Sequence, residues 1–372
     1  MIYLDNAATT KPSETALLKA QTFLTENYFN PSAMYREGFA LQSDLKKARS
    51  VLLSFVGAGE DFEWIFTSCG TESDNQAVFG IAKRGNAVTT AGEHSAVYAP
   101  FQELKLRGLE TRVAPLLSDG RVDMEQLLSL VDEKTTLVSV IHVNNETGAI
   151  NDINAIAKAV KAKNPRVVFH SDGVQAFGKI PYRISKDVDL YSVSAHKIGG
   201  LKGVGGLIKR KSLALPAHLY GGGQENGKRS GTENVFGIKT LEYAASEKYE
   251  NLRENFTYVK SLKETMAQGL DPAVYSLVSG ENSSPYILSV SAKGLRGAIL
   301  QRQANDEGLL VGTGSACSSN AKTRYSRVIL ACGYDERTAD GFLRISFSAE
   351  TTKDEVCMAI EILNRIAKNS KY

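Results

Sequence analysis

Two residues with reactive side chains follow apolar, β-branched runs of the kind that form buried strands. Asp172 comes just after the run 167–170, and Lys197 comes shortly after the run 190–194. Because the carboxyl ends of parallel strands meet at one edge of a sheet, we expect this carboxylate and this amine to lie near each other. Taken singly, each has an ordinary explanation, since Asp172 is typical of a turn and Lys197 of a solvated surface.

A potential anion site precedes both residues in the chain. The strand-like run 64–67 leads through Gly70 into a helix predicted over residues 71–83, and Thr71 and Asp74 have the spacing of a capping box. Free backbone N–H groups at a helix start could cradle a phosphate, although a capped helix without a ligand explains the same residues. Together, a lysine amine, a carboxylate and a phosphate cradle are the three anchors that pyridoxal 5'-phosphate (PLP) requires. The sequence therefore predicts a PLP site.

One of the four cysteines stands in a run of small residues. Cys317 lies within the Gly- and Ser-rich segment 312–320, whereas Cys332 and Cys357 lie in apolar, helix-like surroundings. The cysteines are far apart and have no partner at metal-ligand spacing, which argues against a disulfide framework and against any metal site. The context of Cys317 favours a nucleophilic thiol on a loop, and a flexible turn that happens to contain a cysteine is the alternative.

The hydrophobic pattern predicts the elements that would position these residues. From about residue 63 to residue 208, apolar runs alternate with helical-period segments, which is typical of an α/β protein with a mostly parallel sheet. The later part of the chain has an α+β pattern, and the boundary is predicted at about residues 247–254. The predicted strands are 64–67, 87–90, 111–113, 137–143, 167–170, 190–194 and 206–208, and the predicted helices between them are 71–83, 95–107, 124–131 and 153–163.

Composition limits the classes of function. The 372 residues carry 44 Lys and Arg against 41 Asp and Glu, a net charge of +3, which lacks the basic excess of a nucleic-acid-binding protein. No stretch reaches the roughly 18 apolar residues of a spanning helix, and the first residues do not have the pattern of a secretory signal. We therefore expect a cytoplasmic protein with no membrane partner and no direct nucleic-acid partner.

A series of short motifs, in order and almost from end to end, resembles the cysteine desulfurases of the NifS/IscS type within the class-V aminotransferase family. The motifs are 3–10, 67–75, Glu93-His94, 142–148, Asp172 with Gln175, Ser194-Ala195-His196-Lys197, 221–225, 229–232, Gly314-Ser315-Ala316-Cys317 and 343–347. After the cysteine, this chain departs from the family, because residues 321–327 replace a Leu-Glu-Pro-Ser-like stretch. The resemblance implies a homodimeric fold-type-I PLP-dependent transferase, with a large PLP-binding domain over residues 13–250 and a small domain formed by residues 1–12 and 251–372.

The resemblance also implies roles for individual residues. Lys197 would form the Schiff base with PLP, His94 would stack on the ring and move protons, and Cys317 would receive sulfur. The residues implied to hold the cofactor are Gly70, Thr71, Ser194 and His196 at the phosphate, Thr232 at the phosphate of the other subunit, Asp172 at the ring nitrogen, and Asn145 and Gln175 at the ring oxygen. The implied substrate-binding residues are Asn6, Asn145 and Arg344, the last through its planar guanidinium.

The implied activity is the conversion of L-cysteine to L-alanine with transfer of sulfur to Cys317 as a persulfide. The acceptor would be a protein of iron–sulfur cluster assembly or of tRNA thiolation. A selenocysteine lyase, or another class-V aminotransferase or lyase that does not use Cys317, is the first alternative. A non-catalytic sulfur carrier or scaffold that binds no PLP is the second.

Overall fold

The fold is described by a computed structural model over residues 1–314 and 325–370. Its strands are β1 (Ile2–Tyr3), β2 (Phe62–Thr67), β3 (Asn86–Thr90), β4 (Glu110–Ala114), β5 (Thr135–Ser139), β6 (Val168–Asp172), β7 (Leu190–Ser194), β8 (Gly205–Arg210), β9 (Tyr275–Leu277), β10 (Ile287–Ala292), β11 (Leu309–Leu310) and β12 (Phe342–Ser346). Its helices are α1 (Glu14–Ala20), α2 (Thr22–Thr25), α3 (Arg36–Phe55), α4 (Gly70–Ile81), α5 (Ser95–Leu106), α6 (Met124–Ser129), α7 (Ile153–Lys163), α8 (Val235–Glu250), α9 (Leu252–Gly269), α10 (Gly297–Asp306), α11 (Arg327–Ala331), α12 (Glu336–Asp340) and α13 (Lys353–Asn369). Short 3-10 turns occupy Ala195–Lys197 and Glu225–Gly227.

The central sheet has seven strands in the order β2-β8-β7-β6-β5-β3-β4. Strand β8 is antiparallel to both of its neighbours, and the remaining pairs are parallel. The prediction of a mostly parallel α/β sheet is therefore confirmed. Since β6 and β7 are parallel neighbours, their carboxyl ends bring Asp172 and the segment that carries Lys197 to the same edge of the sheet.

Element bounds follow the predicted ones closely where apolar residues alternate with clear breaks. Helix α7 and strand β7 match the predicted ranges 153–163 and 190–194 residue for residue. The strand predicted over 137–143 is too long, because β5 ends at Ser139. Beyond it, Val143 pairs back with Ile150, and this closes a turn in which the Asn144 side chain accepts hydrogen bonds from two main-chain N–H groups.

Two of the hydrophobic clusters are built mainly from different parts of the chain. One surrounds the central sheet and includes Trp64, Phe169 and Tyr191. The other joins Leu4 to residues of α9, β10, β12 and α13, and β1 pairs in parallel with β11. The N-terminal segment thus packs with the later half of the chain, while the domain boundaries at residues 12 and 250 stay a prediction.

The long helices are amphipathic. Helix α3 buries Leu41, Leu45, Ala48 and Leu52 along one face, which is the spacing that a helix of 3.6 residues per turn requires. It ends before Gly57, whose φ of +64° is a conformation that glycine adopts without strain. Among the described residues, no helix combines the length and apolar character that crossing a membrane would need.

Candidate active site

The N-terminus of α4 forms one wall of the candidate site. The helix begins at Gly70, one residue earlier than predicted, and within the described residues no side chain caps it. The predicted capping box is wrong, because Asp74 is buried beside His170 and the Glu72 carboxylate instead accepts a hydrogen bond from the Ser68 N–H at 2.7 Å. The first N–H groups of a helix have no intrahelical acceptor, so an uncapped start is suited to an anion.

Ser194, at the end of β7, lies next to this helix start. Its hydroxyl oxygen is buried and has no hydrogen-bond partner in the described part of the chain. A Cβ built on Gly70 would come within 3.4 Å of the Ser194 Cβ and within 2.8 Å of a methyl group of Val174, so a larger residue there would force the Val174 side chain to shift. A buried hydroxyl without a partner costs free energy, and a ligand that accepts a hydrogen bond from it would remove that cost.

Asp172 and Lys197 reach the same sheet edge from the neighbouring strands β6 and β7. Asp172 is buried and its Oδ1 accepts a hydrogen bond from the Val174 N–H at 2.9 Å. Burial, together with nearby Asp74, raises the pKa of Asp172 to about 7. The Lys197 ammonium donates to the carbonyls of Ala7 and Ala8, both at 2.7 Å.

Two further buried carboxyl groups, Asp74 and Glu93, interact electrostatically with Asp172. Asp74 is within 3.5 Å of the His170 imidazole, and burial raises its pKa to about 7. Glu93 is fully buried, with Oε1 bonded to Thr90 and to the Ile141 N–H, and its pKa is raised to about 8 mainly by burial. Neighbouring negative charges make it unfavourable for all three carboxyl groups to ionise at once. A cation beside Asp172 would therefore favour the ionised form of Asp172.

His94 is the N-cap residue of α5, and its Nδ1 accepts a hydrogen bond from the Ala96 N–H at 3.1 Å. Burial lowers its pKa to about 4, with further contributions from the cations Lys197, Arg344 and Arg327. The imidazole is therefore neutral near pH 7. Because Nδ1 is the acceptor in the cap, this hydrogen bond assigns the ring hydrogen to Nε2, which makes His94 a donor toward any bound molecule.

Arg344 reaches the site from β12 and is buried rather than on the surface. Its Nη2 pairs with Asp5 at 2.8 Å, and its Nη1 donates to the Asn145 carbonyl at 2.9 Å. Its Nε is buried without an acceptor among the described residues. Asn6 follows Asp5 in the sequence, and its side-chain amide donates a hydrogen bond to the Ser346 carbonyl of β12 at 3.0 Å.

Gln175 connects the N-terminal segment to a buried lysine. Its amide nitrogen donates to the Ala7 carbonyl, which Lys197 also contacts, and its amide oxygen accepts from the Lys179 ammonium at 2.8 Å. Burial and the nearby cations lower the pKa of Lys179 well below its ordinary value. A cavity of about 480 Å³ borders Lys197, Lys179 and Asn6 on this side of the sheet edge.

For two predicted site residues, the structure gives contacts other than those described above. His196 is partly buried and its Nδ1 lies 3.1 Å from the Thr9 hydroxyl. Thr232 is exposed and lines a separate cavity of about 120 Å³. Cys317 lies outside the described residues.

Comparison with known proteins settles the family. A family model described as aminotransferase class-V matches residues 2–358. This chain belongs to that family. Among curated proteins it is 34% identical over 381 residues to the cysteine desulfurase IscS of Clostridium botulinum (strain Hall), with 100% of this chain and 95% of the relative covered.

Solved structures of class-V relatives share the fold. A NifS-like protein has a TM-score of 0.93 at 35% identity, and the match covers 99% of each chain. SspA in complex with cysteine has a TM-score of 0.82 at 27% identity over 95% of this chain and 100% of that one. The predicted resemblance to the NifS/IscS cysteine desulfurases and the predicted fold-type-I architecture are thereby confirmed.

Membership in the class-V family implies dependence on PLP, and the geometry fits that cofactor. The buried Ser194 hydroxyl, without a partner in the described part of the chain, and the nearby start of α4 are suited to a phosphate. Buried Asp172 suits a protonated ring nitrogen, and Lys197 provides the amine at the same sheet edge. His94 adds a neutral ring at the start of α5.

Sequence reasoning missed Arg327 and Lys179 in this class-V site, and it named Glu93 only as part of the Glu93-His94 motif, without a role. Lys179 had a usable signal, since it follows Gln175 by four residues, the spacing of neighbours on one face of a helical turn. Glu93 had only its position beside His94. Arg327 had none, because its contacts span more than 230 residues of sequence.

Proposed function

We propose that this chain is a PLP-dependent cysteine desulfurase that converts L-cysteine to L-alanine and receives the sulfur on Cys317 as a persulfide. The observation that carries the proposal is the meeting of Lys197, Asp172 and the orphaned Ser194 hydroxyl at one sheet edge. The class-V relatives support the substrate, because one is named a cysteine desulfurase and another was solved in complex with cysteine.

The large sheet would bind the cofactor and activate the substrate. Bound PLP would supply an electron sink for the electron pair released at the substrate Cα. Lys197 would hold the cofactor and, as a free amine, take the Cα proton, for which its Nζ must leave the carbonyls of Ala7 and Ala8. Asp172 would be the counter-ion of the ring nitrogen, and this positive partner would keep the buried carboxyl ionised.

The small domain and α5 would orient the substrate. Arg344 would bind the substrate carboxylate. Its Nε, which has no acceptor among the described residues, and the neighbouring Nη groups can donate to that carboxylate in a planar fork. His94 would donate through Nε2–H. It could accept a proton at that atom only after Nδ1 gives up its hydrogen bond with the Ala96 N–H.

The sulfur step rests on the sequence, because Cys317 lies outside the described residues. Its thiolate would attack the substrate sulfur, the Cβ–S bond would break, and the electron pair would pass to Cβ with a proton to give alanine. An added thiol would then reduce the persulfide and release sulfide.

The test is a Cys317→Ser variant with Cys357→Ser as its control, since Cys357 is an exposed cysteine on α13. We expect Cys317→Ser to retain cofactor colour and cysteine binding but to release no sulfide with dithiothreitol, while the control behaves as wild type. Full sulfide release by Cys317→Ser would refute the proposal. A protein that stays colourless after PLP is added would instead indicate a non-catalytic sulfur carrier.

The acceptor of the sulfur would be a protein of iron–sulfur cluster assembly or of tRNA thiolation. A pull-down with enzyme loaded from ³⁵S-cysteine identifies which protein acquires the label. Turnover of selenocysteine relative to cysteine, measured on the same preparation, separates a desulfurase from a selenocysteine lyase.

A further inference from the structure

Arg327 is a cation from the small domain that contacts the segment carrying His94. It is the first residue of α11 and the last residue of the stretch 321–327 in which this chain departs from the family pattern. Its Nη1 donates to the Ala91 carbonyl, and its Nη2 donates to the Glu93 carbonyl at 2.6 Å. Its guanidinium carbon lies 3.7 Å from the centroid of the Tyr98 ring, which is a close cation–π contact. The three contacts bracket His94 on both sides.

The residue before it makes a parallel connection. The Ser326 hydroxyl donates to the Glu146 carboxylate and accepts from the Ile329 N–H at 3.2 Å, which caps α11. Glu146 is next to Asn145, whose carbonyl accepts from Arg344. Two consecutive residues of the small domain are thus attached to the two turns of the central sheet that carry His94 and Asn145.

We propose that Arg327 is a positioning residue for His94: its guanidinium fork fixes the segment 91–98 against the small domain and so fixes the direction in which the imidazole donates. This inference rests on the proposed function, because it assigns His94 a part in the reaction. Two main-chain carbonyls and an aromatic face match a planar guanidinium, whereas the point charge of a lysine can serve one acceptor at a time and stacks less well. A misplacement of about 1 Å in a site of this kind costs about 100-fold in rate.

The charge of Arg327 supports the same state of His94. The cations that face His94 are Lys197 after β7, Arg344 on β12 and Arg327 on α11. The carboxyl groups of Glu93 and Glu146 face Arg327 itself. Protonation of His94 would put a hydrogen on Nδ1 and break its cap bond with Ala96, so the three cations preserve the cap as well as the neutral ring.

The experiment compares the PLP-loaded wild type with Arg327→Gln, Arg327→Lys and the control Arg337→Gln. Arg337 is an exposed arginine on α12, so the control removes an equal charge from the same domain away from the site. The measurements are kcat and KM for sulfide release, and the pH titration of the His94 ring nitrogens by NMR of ¹⁵N-histidine protein. The chain has five histidines, and a His94→Gln sample assigns the signal.

We expect Arg327→Gln to lower kcat by about tenfold or more with KM changed by less than about threefold. Its His94 titration should move upward, because one of three facing cations is lost. Arg327→Lys should keep the wild-type titration and still lose kcat, which separates the fork from the charge. Arg337→Gln should match the wild type in both measurements.

Wild-type kcat in Arg327→Gln, or a loss no larger than that of Arg337→Gln, would overturn the inference. If Arg327→Gln fails to fold, Arg327→Lys decides, and wild-type kcat in that variant overturns the role of the fork. If the wild type itself releases no sulfide, the proposed function fails, and the histidine titration then tests the inference alone. An identical His94 titration in wild type and Arg327→Gln would contradict it.

Discussion

At the scale of single residues, the carboxyl groups near the end of β6 set the charge of the site. Asp74, Glu93 and Asp172 all lie buried, and burial raises the pKa of each. Only Asp172 has a role as a counter-ion in the proposed function. If Asp74 and Glu93 are neutral, Asp172 is the one of these three groups that faces the cationic ring with a negative charge. A second nearby carboxylate would compete with it for the same cation.

Glu93→Gln tests whether this buried carboxyl is protonated. The pKa of Glu93 is raised from 4.5 to about 8, so its contribution to stability is complete below pH 4.5 and is lost as pH rises toward 8. Glutamine does not titrate. We therefore expect the variant to gain in unfolding free energy over the wild type as pH rises from 5 to 8, by up to about 1.4 kcal/mol per pH unit.

The measurement is urea unfolding of the cofactor-free proteins at several pH values. The diagnostic quantity is the change with pH of the difference in unfolding free energy between variant and wild type. The amide itself adds an offset to that difference that does not depend on pH. Glu125→Gln, at an exposed position on α6, is the control and should show no slope. A pH-independent difference between Glu93→Gln and the wild type would show that Glu93 is ionised when folded.

At the scale of elements, two helix starts have different caps. Helix α5 is capped by the imidazole of His94, which fixes the ring in one tautomer. Helix α4 has no side-chain cap within the described residues, and the orphaned Ser194 hydroxyl lies beside it. The first N–H groups of α4 and the Ser194 hydroxyl lack hydrogen-bond acceptors among the described residues, and this raises the free energy of the cofactor-free protein. A bound phosphate would supply the acceptors.

Ser194→Ala tests this arrangement. Because the hydroxyl has no partner in the described part of the chain, we expect its removal to leave the unfolding free energy of the cofactor-free protein within about 0.5 kcal/mol of wild type. The affinity for PLP should fall by about tenfold, the equivalent of one hydrogen bond to a charged group.

Ser192→Ala is the matched control on the same strand. The Ser192 hydroxyl lies 3.0 Å from the His170 Nε2, so its loss leaves a buried polar group unsatisfied and should cost about 1–3 kcal/mol of stability. Direct titration of each apoprotein with PLP, followed by absorbance, measures the affinities. Wild-type PLP affinity in Ser194→Ala would remove Ser194 from the phosphate site.

At the scale of the whole molecule, the N-terminal segment connects the two hydrophobic clusters. Leu4 is fully buried in the second cluster, while three residues later the Ala7 carbonyl accepts from Gln175 and Lys197 of the central sheet unit. A displacement of this segment would therefore move the amine of Lys197. Thr232, by contrast, is exposed in the single chain, and its place at the site of a second subunit stays a prediction.

Mixing two inactive variants tests the predicted homodimer. If Thr232 completes the site of the other subunit, a heterodimer of Thr232→Ala and Lys197→Ala has one site with both native residues. Random exchange makes half of the dimers heterodimers with one complete site of two, so about one quarter of the wild-type activity should return. The control is a mixture of Lys197→Ala and Asp172→Asn. Both residues belong to one sheet edge of the same chain, so a heterodimer of these two variants has no complete site. No recovery with Thr232→Ala, despite exchange shown by mass labelling, would place Thr232 in its own subunit's site or outside it.

The sequence by itself determined the mostly parallel sheet, the elements α7 and β7, and the presence of Asp172 and Lys197 at neighbouring strand ends. These follow from local hydrophobic periodicity, which depends on residues a few positions apart. The start of α4 and the end of β5 were predicted less well, because a main-chain turn and a buried Asp74 compete with propensity there. Only the tertiary structure decided that Arg344 is buried against Asp5, that Ser194 has no partner among the described residues, and that Arg327 brackets His94. Each of these depends on residues far apart in the chain, whose encounter is set by packing of the whole fold rather than by any short pattern.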